Sequence, residues 1–249
     1  MLKNLGIVQA CFDSPKFRGN AARKLDGKPL LEWVIRRATE SMRLDGVIVV
    51  ARDQTESNFV AELVPSDVPV FSSKQPDALS RFSRALEEYP AEAVVRIRGD
   101  NPFVDPVLID RLVTTAEAHP ECDYVSYCSR DGRPAILSPV GIYAEWIDGK
   151  ALRRAAKSKR DSSDREHVTR YICSHPEKFN IRLIPAPEEI DRQDVRLTVD
   201  IEEDWDHVLA IIDALGEDTV DWQRIAALLD HQPALRSRME ALNRAHAQG

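Results

Sequence analysis

The sequence is sparing with every residue type that would mark it as something other than an ordinary globular chain. Ten Gly and 15 Pro among 249 residues leave no room for collagen-like or low-complexity character. Its four Cys (Cys11, Cys122, Cys128 and Cys173) form no CxxC pair and show no zinc-ligand spacing. That excludes a disulfide or zinc framework and points to reduced thiols. No run approaches the roughly 18 apolar residues of a membrane helix. The stretch Met1–Phe12 carries one Lys and a short apolar run that meets Asp13 at once, unlike a signal peptide. A basic excess is also missing, with 34 Lys+Arg against 41 Asp+Glu and a formal charge of −7. Nucleic acid and anionic membrane are therefore poor main partners. The expectation is a soluble, cytoplasmic protein.

What is present is an alternation. Short β-branched runs are expected as strands over 5–12, 46–51, 68–71, 93–97, 124–127, 141–146, 179–184 and 196–199. Helical periods are expected over 29–41, 57–64, 78–89 and 106–118 in the first half. Further helices are expected over 150–157, 164–174, 204–215, 221–230 and 233–247. Asp77 and Asp105 stand where helix N-caps belong, and Pro29 suits a first helical turn. Strands recurring every ~25–30 residues with a helix between them imply βαβ units and a mostly parallel sheet. Residues 128–139 read as a loop beside that sheet. The charged last helix, with Leu235, Met239 and Leu242 on one stripe, is expected on the surface or against a partner. No linker or repeat divides the chain. A single domain over 1–249 is expected, with functional halves at about 1–120 and 121–215 and a helical tail over about 216–249.

In an open parallel sheet, ligands bind beyond the carboxyl ends of the strands. After the first strand comes a loop with Lys16, Arg18, Arg23, Lys24 and Lys28 and two glycines, set in an acidic protein. Such a loop could hold a polyphosphate or be no more than a solvated charged surface. It matches neither a Walker A loop nor a GxGxxG fingerprint. Two later runs, Arg96-Ile-Arg-Gly-Asp100 and Arg196-Leu-Thr-Val-Asp200, each deliver a carboxylate at a strand end. Together Asp100 and Asp200 suit Mg²⁺, a hard cation that takes oxygen ligands; taken singly, each could be a helix cap.

Read together, these segments resemble the cytidylyltransferase superfamily of nucleotide-sugar synthetases, which includes CMP-sialate and CMP-Kdo synthetases. The nearest branch is that of spore coat polysaccharide biosynthesis protein F. Gln9, Ala10, Ser14, Gly19 and Gly27-Lys28-Pro29-Leu30-Leu31 fall in register with that branch's first loop. Pro76-Asp77-Ala78-Leu79-Ser80-Arg81-Phe82 is similar to its acidic stretch before Val-Leu-Ser-Arg-Tyr. Arg98-Gly99-Asp100-Asn101-Pro102 resembles Thr-Gly-Asp-Cys-Pro, and Arg165-Glu166-His167-Val168-Thr169 and Leu197-Thr198-Val199-Asp200 follow the pattern closely. The likeness spans about residues 5–215.

The resemblance implies a single-domain, Rossmann-like nucleotide-diphospho-sugar transferase fold of α/β class, with a mostly parallel central sheet flanked by helices. It implies a CTP-dependent nucleotidyltransferase that activates a small anionic acceptor (a sugar acid, phosphosugar or phosphonate) and releases pyrophosphate in surface polysaccharide biosynthesis. It implies Mg²⁺ on Asp100 and Asp200, and Lys16 and Arg18 on the phosphates. Gln9, Ala10, Ser14, Gly19, Asp77, Ser80, Arg81 and Gly99 would lie around the nucleotide. Tyr143 and Glu145 would face the acceptor, and Arg165, Glu166, His167 and Thr169 would lie on the acceptor side or at the interface of a homodimer. His167 is either a general base or a structural residue. Trp33, Trp146, Trp205 and Trp222 are read as core or interface anchors.

The first loop departs from the branch. Cys11 stands in place of Arg, Lys16 of Arg, Arg18 of Pro and Asn20 of Lys. Neutral side chains at 11 and 20 cannot pair with phosphate as cations do. Arg18, Arg23 and Lys24 could take over that charge, or the site could be decayed or altered. Two other readings stay open. A glycosyltransferase would need an Asp-x-Asp after a strand, and Asp148 and Asp204-Trp205-Asp206 are poorly placed for it. A non-catalytic nucleotide-binding relative is the other. A nucleophilic Cys11 fails, because no His lies near it in sequence and no helix directly follows.

Overall fold

The structure is a computed structural model that describes residues 1–10, 15–75, 77–158, 169–216 and 220–246, with residues 15–18 described by backbone alone. Its frame is a seven-stranded sheet in the order β5-β4-β1-β6-β8-β7-β9. The strands are β1 Leu2–Gln9, β4 Gly46–Ala51, β5 Val70–Ser72, β6 Ala91–Arg98, β7 Tyr124–Cys128, β8 Glu145–Asp148 and β9 Ile181–Pro185. Neighbouring strands run parallel except at β8, which is antiparallel to both β6 and β7. The expected α/β class and mostly parallel sheet are found.

Two helical layers cover the sheet, and strand alternation assigns their residues. Leu5 and Ile7 of β1 face one layer and Val8 the other, all at 1% exposure or less. On the Val8 face lie α2 Leu30–Thr39, α3 Gln54–Ala61, α5 Pro106–Ala118, α8 Glu202–Leu215, α9 Trp222–Asp230 and α10 Pro233–His246. On the Leu5 face lie α4 Ala78–Glu88, α6 Gly149–Lys157 and the short α7 Arg170–Cys173. Both faces being covered explains why the central strands read as continuous apolar runs. Among the described residues, no helix is long and apolar enough to cross a membrane.

Local signals account for most element ends. Asp77 caps α4 by accepting from the Ser80 amide at 2.8 Å. Asp105 caps α5 by accepting from Val107 and Leu108, with Pro106 in the first turn. Trp33 and Trp146 are buried and spend their indole N–H groups on the Pro102 carbonyl and Asn4 Oδ1. Trp205 is also buried, and Trp222 packs against the core, so the tryptophans do anchor the interior.

Several expectations need correction. Residues 196–199 are extended and buried but join no sheet. Leu197 and Thr198 donate instead to the Pro139 carbonyl, and Val199 donates to that of Asp100. The strand expected over 141–146 begins only at Glu145. Of the helix expected over 164–174, residues 164–168 lie outside the described residues, and the described part is α7. The basic loop is more ordered than expected, with α1 Pro15–Ala22 and a hairpin of β2 Lys24–Leu25 with β3 Lys28–Pro29. Asp26 and Gly27, both at positive φ, turn that hairpin, as an Asp-Gly pair does. The last helix is not a surface appendage. Leu235 and Met239 enter the main core at 4% and 0% exposure, and each buried side chain contributes about 1.5–3 kcal/mol of hydrophobic stabilisation.

Candidate active site

The carboxyl ends of β1 and β6 lie side by side, with Gln9 opposite Arg98 in the register. Gly99 follows, and its amide donates to the Gln9 carbonyl at 3.1 Å. A Cβ at position 99 would sit 2.9 Å from that same oxygen, so only glycine permits this approach. The bend after Gly99 directs Asp100 inward at 5% exposure.

Asp200 reaches the same place from the extended segment after residue 195. The Val199–Asp100 backbone bond, at 2.9 Å, sets the two aspartates next to each other although a hundred positions separate them. Behind this segment, Arg196 forms a forked pair with the fully buried Asp204, at 2.6 and 2.9 Å. Asp204 also accepts from the Asp200 and Ile201 amides, so it fixes both the turn and the start of α8. Asp200 keeps 40% of its side chain exposed. Its Oδ2 accepts from Thr198 at 2.7 Å and pairs with Arg196 at 3.3 Å. Burial, and next the charge of Asp100, hold the Asp200 carboxyl above its ordinary range, while Thr198, Arg98 and Arg196 oppose that shift.

Arg98, which the sequence reading passed over, lies between the two acids. Its Nε donates to Asp100 Oδ1 at 2.9 Å, its Nη2 to Asp100 Oδ2, and the same Nη2 lies 3.6 Å from Asp200 Oδ1. Asp100 holds the guanidinium more firmly protonated than usual. The available signal was an Arg two residues before Asp100, on the same face of a strand end.

The other expected residues are distributed around this centre. Gln9 Oε1 accepts from Arg96 Nε at 2.7 Å, and Arg96 pairs at 2.5 Å with Glu145, its cross-strand partner. Glu145 has no exposed surface and also accepts from Tyr124 and Thr169. Tyr143 is 1% exposed beside Tyr127, and burial raises its phenol pKa strongly. Ala10 is buried, and its amide donates to Val50. Gly19 lies on α1. Asp77 and Ser80 form the α4 cap, while Arg81 donates to the Gln75 carbonyl at 3.0 Å. Arg23 pairs with Glu202 at 2.6 Å and lies over the Trp205 ring, which commits it to α8. Cys11, Ser14, Arg165, Glu166 and His167 lie outside the described residues, as do the side chains of Lys16 and Arg18. A cleft of about 540 Å³ lined by Trp33, Arg36, Arg37 and Asp221 contains none of the expected site residues.

The pair fits a divalent cation in its donor chemistry, because both groups are hard carboxylates at one edge and a cationic guanidinium already bridges them. No further His, Cys, Asp or Glu completes a cluster of three among the described residues. A cation held here would need phosphate or water to fill its shell.

Comparison with known proteins identifies the family. A family described as cytidylyltransferase matches residues 5–227. An uncharacterized protein of Methanocaldococcus jannaschii is 32% identical over 237 residues, covering 95% of this chain and 94% of its own. Spore coat polysaccharide biosynthesis protein SpsF of Bacillus subtilis is 28% identical, covering 95% of this chain and 98% of its own. The solved structure of a cytidylyltransferase from Leptospira borgpetersenii superposes with a TM-score of 0.81 at 21% identity, covering 94% and 97% of the two chains. A sheet edge that brings two distant aspartates together, in a chain matched almost end to end, makes this protein a member of the cytidylyltransferase family and a nucleotidyltransferase enzyme.

Proposed function

We propose that the protein transfers a cytidylyl group from CTP to an anionic small-molecule acceptor, a sugar acid, phosphosugar or phosphonate, in surface polysaccharide biosynthesis. The observation that carries this reading is the meeting of Asp100 and Asp200 at one sheet edge beside the Gly99 approach. An acceptor oxygen attacks the α-phosphorus, the bond from that phosphorus to the bridging oxygen breaks, and pyrophosphate leaves with that oxygen. Asp100 and Asp200 would hold Mg²⁺, which supplies charge neutralisation at the α-phosphate.

The chain's own part is positioning and electrostatics. Gln9, Ala10 and Gly99 form a backbone floor close to the nucleotide, with Ser14, Gly19, Asp77, Ser80 and Arg81 around it. Lys16 and Arg18 neutralise the departing phosphates. Glu145 acts beneath the acceptor side by holding Thr169 and Arg96, and Tyr143 packs there beside Tyr127. Arg165, Glu166, His167 and Thr169 are assigned to the acceptor side, in a cytoplasmic homodimer.

Glycosyl transfer is disfavoured, because Asp204 has no exposed surface and holds the Asp200 and Ile201 amides as well as Arg196, so it lies beneath the surface and presents no Asp-x-Asp metal motif. The test is pyrophosphate release with each of the four NTPs and Mg²⁺ across a panel of sugar acids and phosphorylated acceptors. Turnover with CTP and an anionic acceptor is expected, and lost in Asp100→Asn. Turnover with another NTP alone would overturn the cytidylyl assignment.

A further inference from the structure

The grip of Arg98 on Asp100 has a consequence for how a cation enters. Both Asp100 oxygens are occupied by the fork of one guanidinium, and the outer nitrogen of that fork also faces Asp200 at 3.6 Å. Asp100 is buried and Arg98 is 28% exposed, so the arginine closes the solvent side of the acid rather than lying beneath it. The second oxygen of Asp200 is committed to Thr198 and Arg196. A divalent cation that takes Asp100 as a ligand therefore competes with a permanently charged, doubly hydrogen-bonded group on the same two oxygens.

We propose that Arg98 is a resident counter-ion on the Asp100–Asp200 pair, which the divalent cation displaces only when a nucleotide arrives to receive the guanidinium on its phosphates. This inference rests on the reading of Asp100 and Asp200 as the metal-holding pair. A phosphate chain offers the fork the same bidentate oxygen geometry that Asp100 offers, so the exchange keeps Arg98 paired throughout. Metal and nucleotide then bind as a couple, each weak without the other. Arg98 is in this scheme a positioning residue and a gate on metal entry.

The experiment measures Mn²⁺ binding by electron paramagnetic resonance, with and without the non-reacting analogue α,β-methylene-CTP. It uses the full chain and its Arg98→Thr, Arg98→Lys and Asp100→Asn variants. Without nucleotide, Arg98→Thr is expected to bind Mn²⁺ about 10- to 100-fold more tightly than the parent, the scale of one charge-assisted hydrogen bond. Arg98→Lys, which keeps the charge but loses the fork, falls between them and serves as the readout should Arg98→Thr fail to fold. With Mn²⁺ present, the analogue is expected to bind about tenfold more weakly to Arg98→Thr. Arg98 variants that bind free Mn²⁺ no better than the parent, while Asp100→Asn abolishes binding, would overturn the counter-ion role and leave the metal site standing. Mn²⁺ binding unchanged in Asp100→Asn would overturn the metal-site reading and the counter-ion role with it.

Discussion

Glu145 offers the sharpest test of how the sheet is held together beneath the site. Its carboxylate has no exposed surface and accepts from Arg96 at 2.5 Å, from Thr169 at 3.0 and 3.1 Å, and from Tyr124. Replacing it with Ala leaves the Arg96 guanidinium charged, 8% exposed and without its carboxylate partner. Breaking a buried pair from one side costs about 3–5 kcal/mol. For a domain of this size each kcal/mol moves the melting temperature by about 2–4 °C, so Glu145→Ala should melt roughly 6–20 °C lower. Glu145→Gln keeps the shape but turns an N–H group toward a donor, and should fall between. The double variant Arg96→Met with Glu145→Leu removes both charges and should recover much of the loss. Calorimetric unfolding ranks these proteins, and adding the Arg96→Met and Glu145→Leu single variants completes the double-mutant cycle. A Glu145→Ala protein that melts within about 2 °C of the parent would refute the counter-ion argument. A raised acceptor KM in such a protein would show instead that Glu145 shapes the acceptor side through Thr169.

Three further outcomes are expected. Gly99→Ala should weaken CTP binding more than tenfold in calorimetric titration with an unchanged far-UV spectrum, because its Cβ drives Asp100 and the Gln9 carbonyl apart; unchanged affinity would show that the close approach is incidental. Burial, and next the charge of Glu145, push the Cys173 thiol up to about 12. Only about one thiol in ten thousand is then ionised at pH 8, so mass spectrometry after brief iodoacetamide treatment of the folded protein should find Cys173 unmodified. The Asp200 carboxyl is held above its ordinary range and so takes up a proton earlier on acidification than an exposed aspartate. Mn²⁺ affinity should accordingly begin to fall at a pH above the usual aspartate titration, and this step should vanish in Asp200→Asn.

Where local chemistry dictates an element, the sequence reading and the structure coincide. Gly46–Ala51 and Pro106–Ala118 have the bounds that the β-branched run and the Asp-Pro cap announce. The reading falters where pairing is decided at a distance. Residues 196–199 have a strand's composition, yet their hydrogen bonds go to a bend at Pro139 and to Asp100, and no local pattern encodes that choice. Glu145 is expected to face the acceptor through the resemblance alone. It is buried because β8 is inserted between β6 and β7, which brings Arg96 opposite it. The Asp26-Gly27 hairpin, by contrast, was available in the sequence as a turn signal. The Asp100–Asp200 juxtaposition was accessible from the rule for strand ends, whereas the arginine two residues before Asp100 left only a faint signal, since an Arg at a strand end is an ordinary solvated residue until a second acid arrives beside it.

The carboxyl-terminal helices reach the Asp100–Asp200 edge from behind. Trp222 donates to the Asp105 cap, Arg192 joins Asp230, Arg236 reaches Asp194, and Asn243 donates to the Val195 carbonyl. Each of these ties grips the cap of α5 or the stretch that leads directly into Asp200. The tail is thus the buckle of the molecule: it closes over a strap of chain that no sheet holds and keeps the stretch before Asp200 in place. Shortening the protein after residue 220 would strip Ile225, Leu229, Leu235 and Met239 from the core and unfasten that strap in the same stroke.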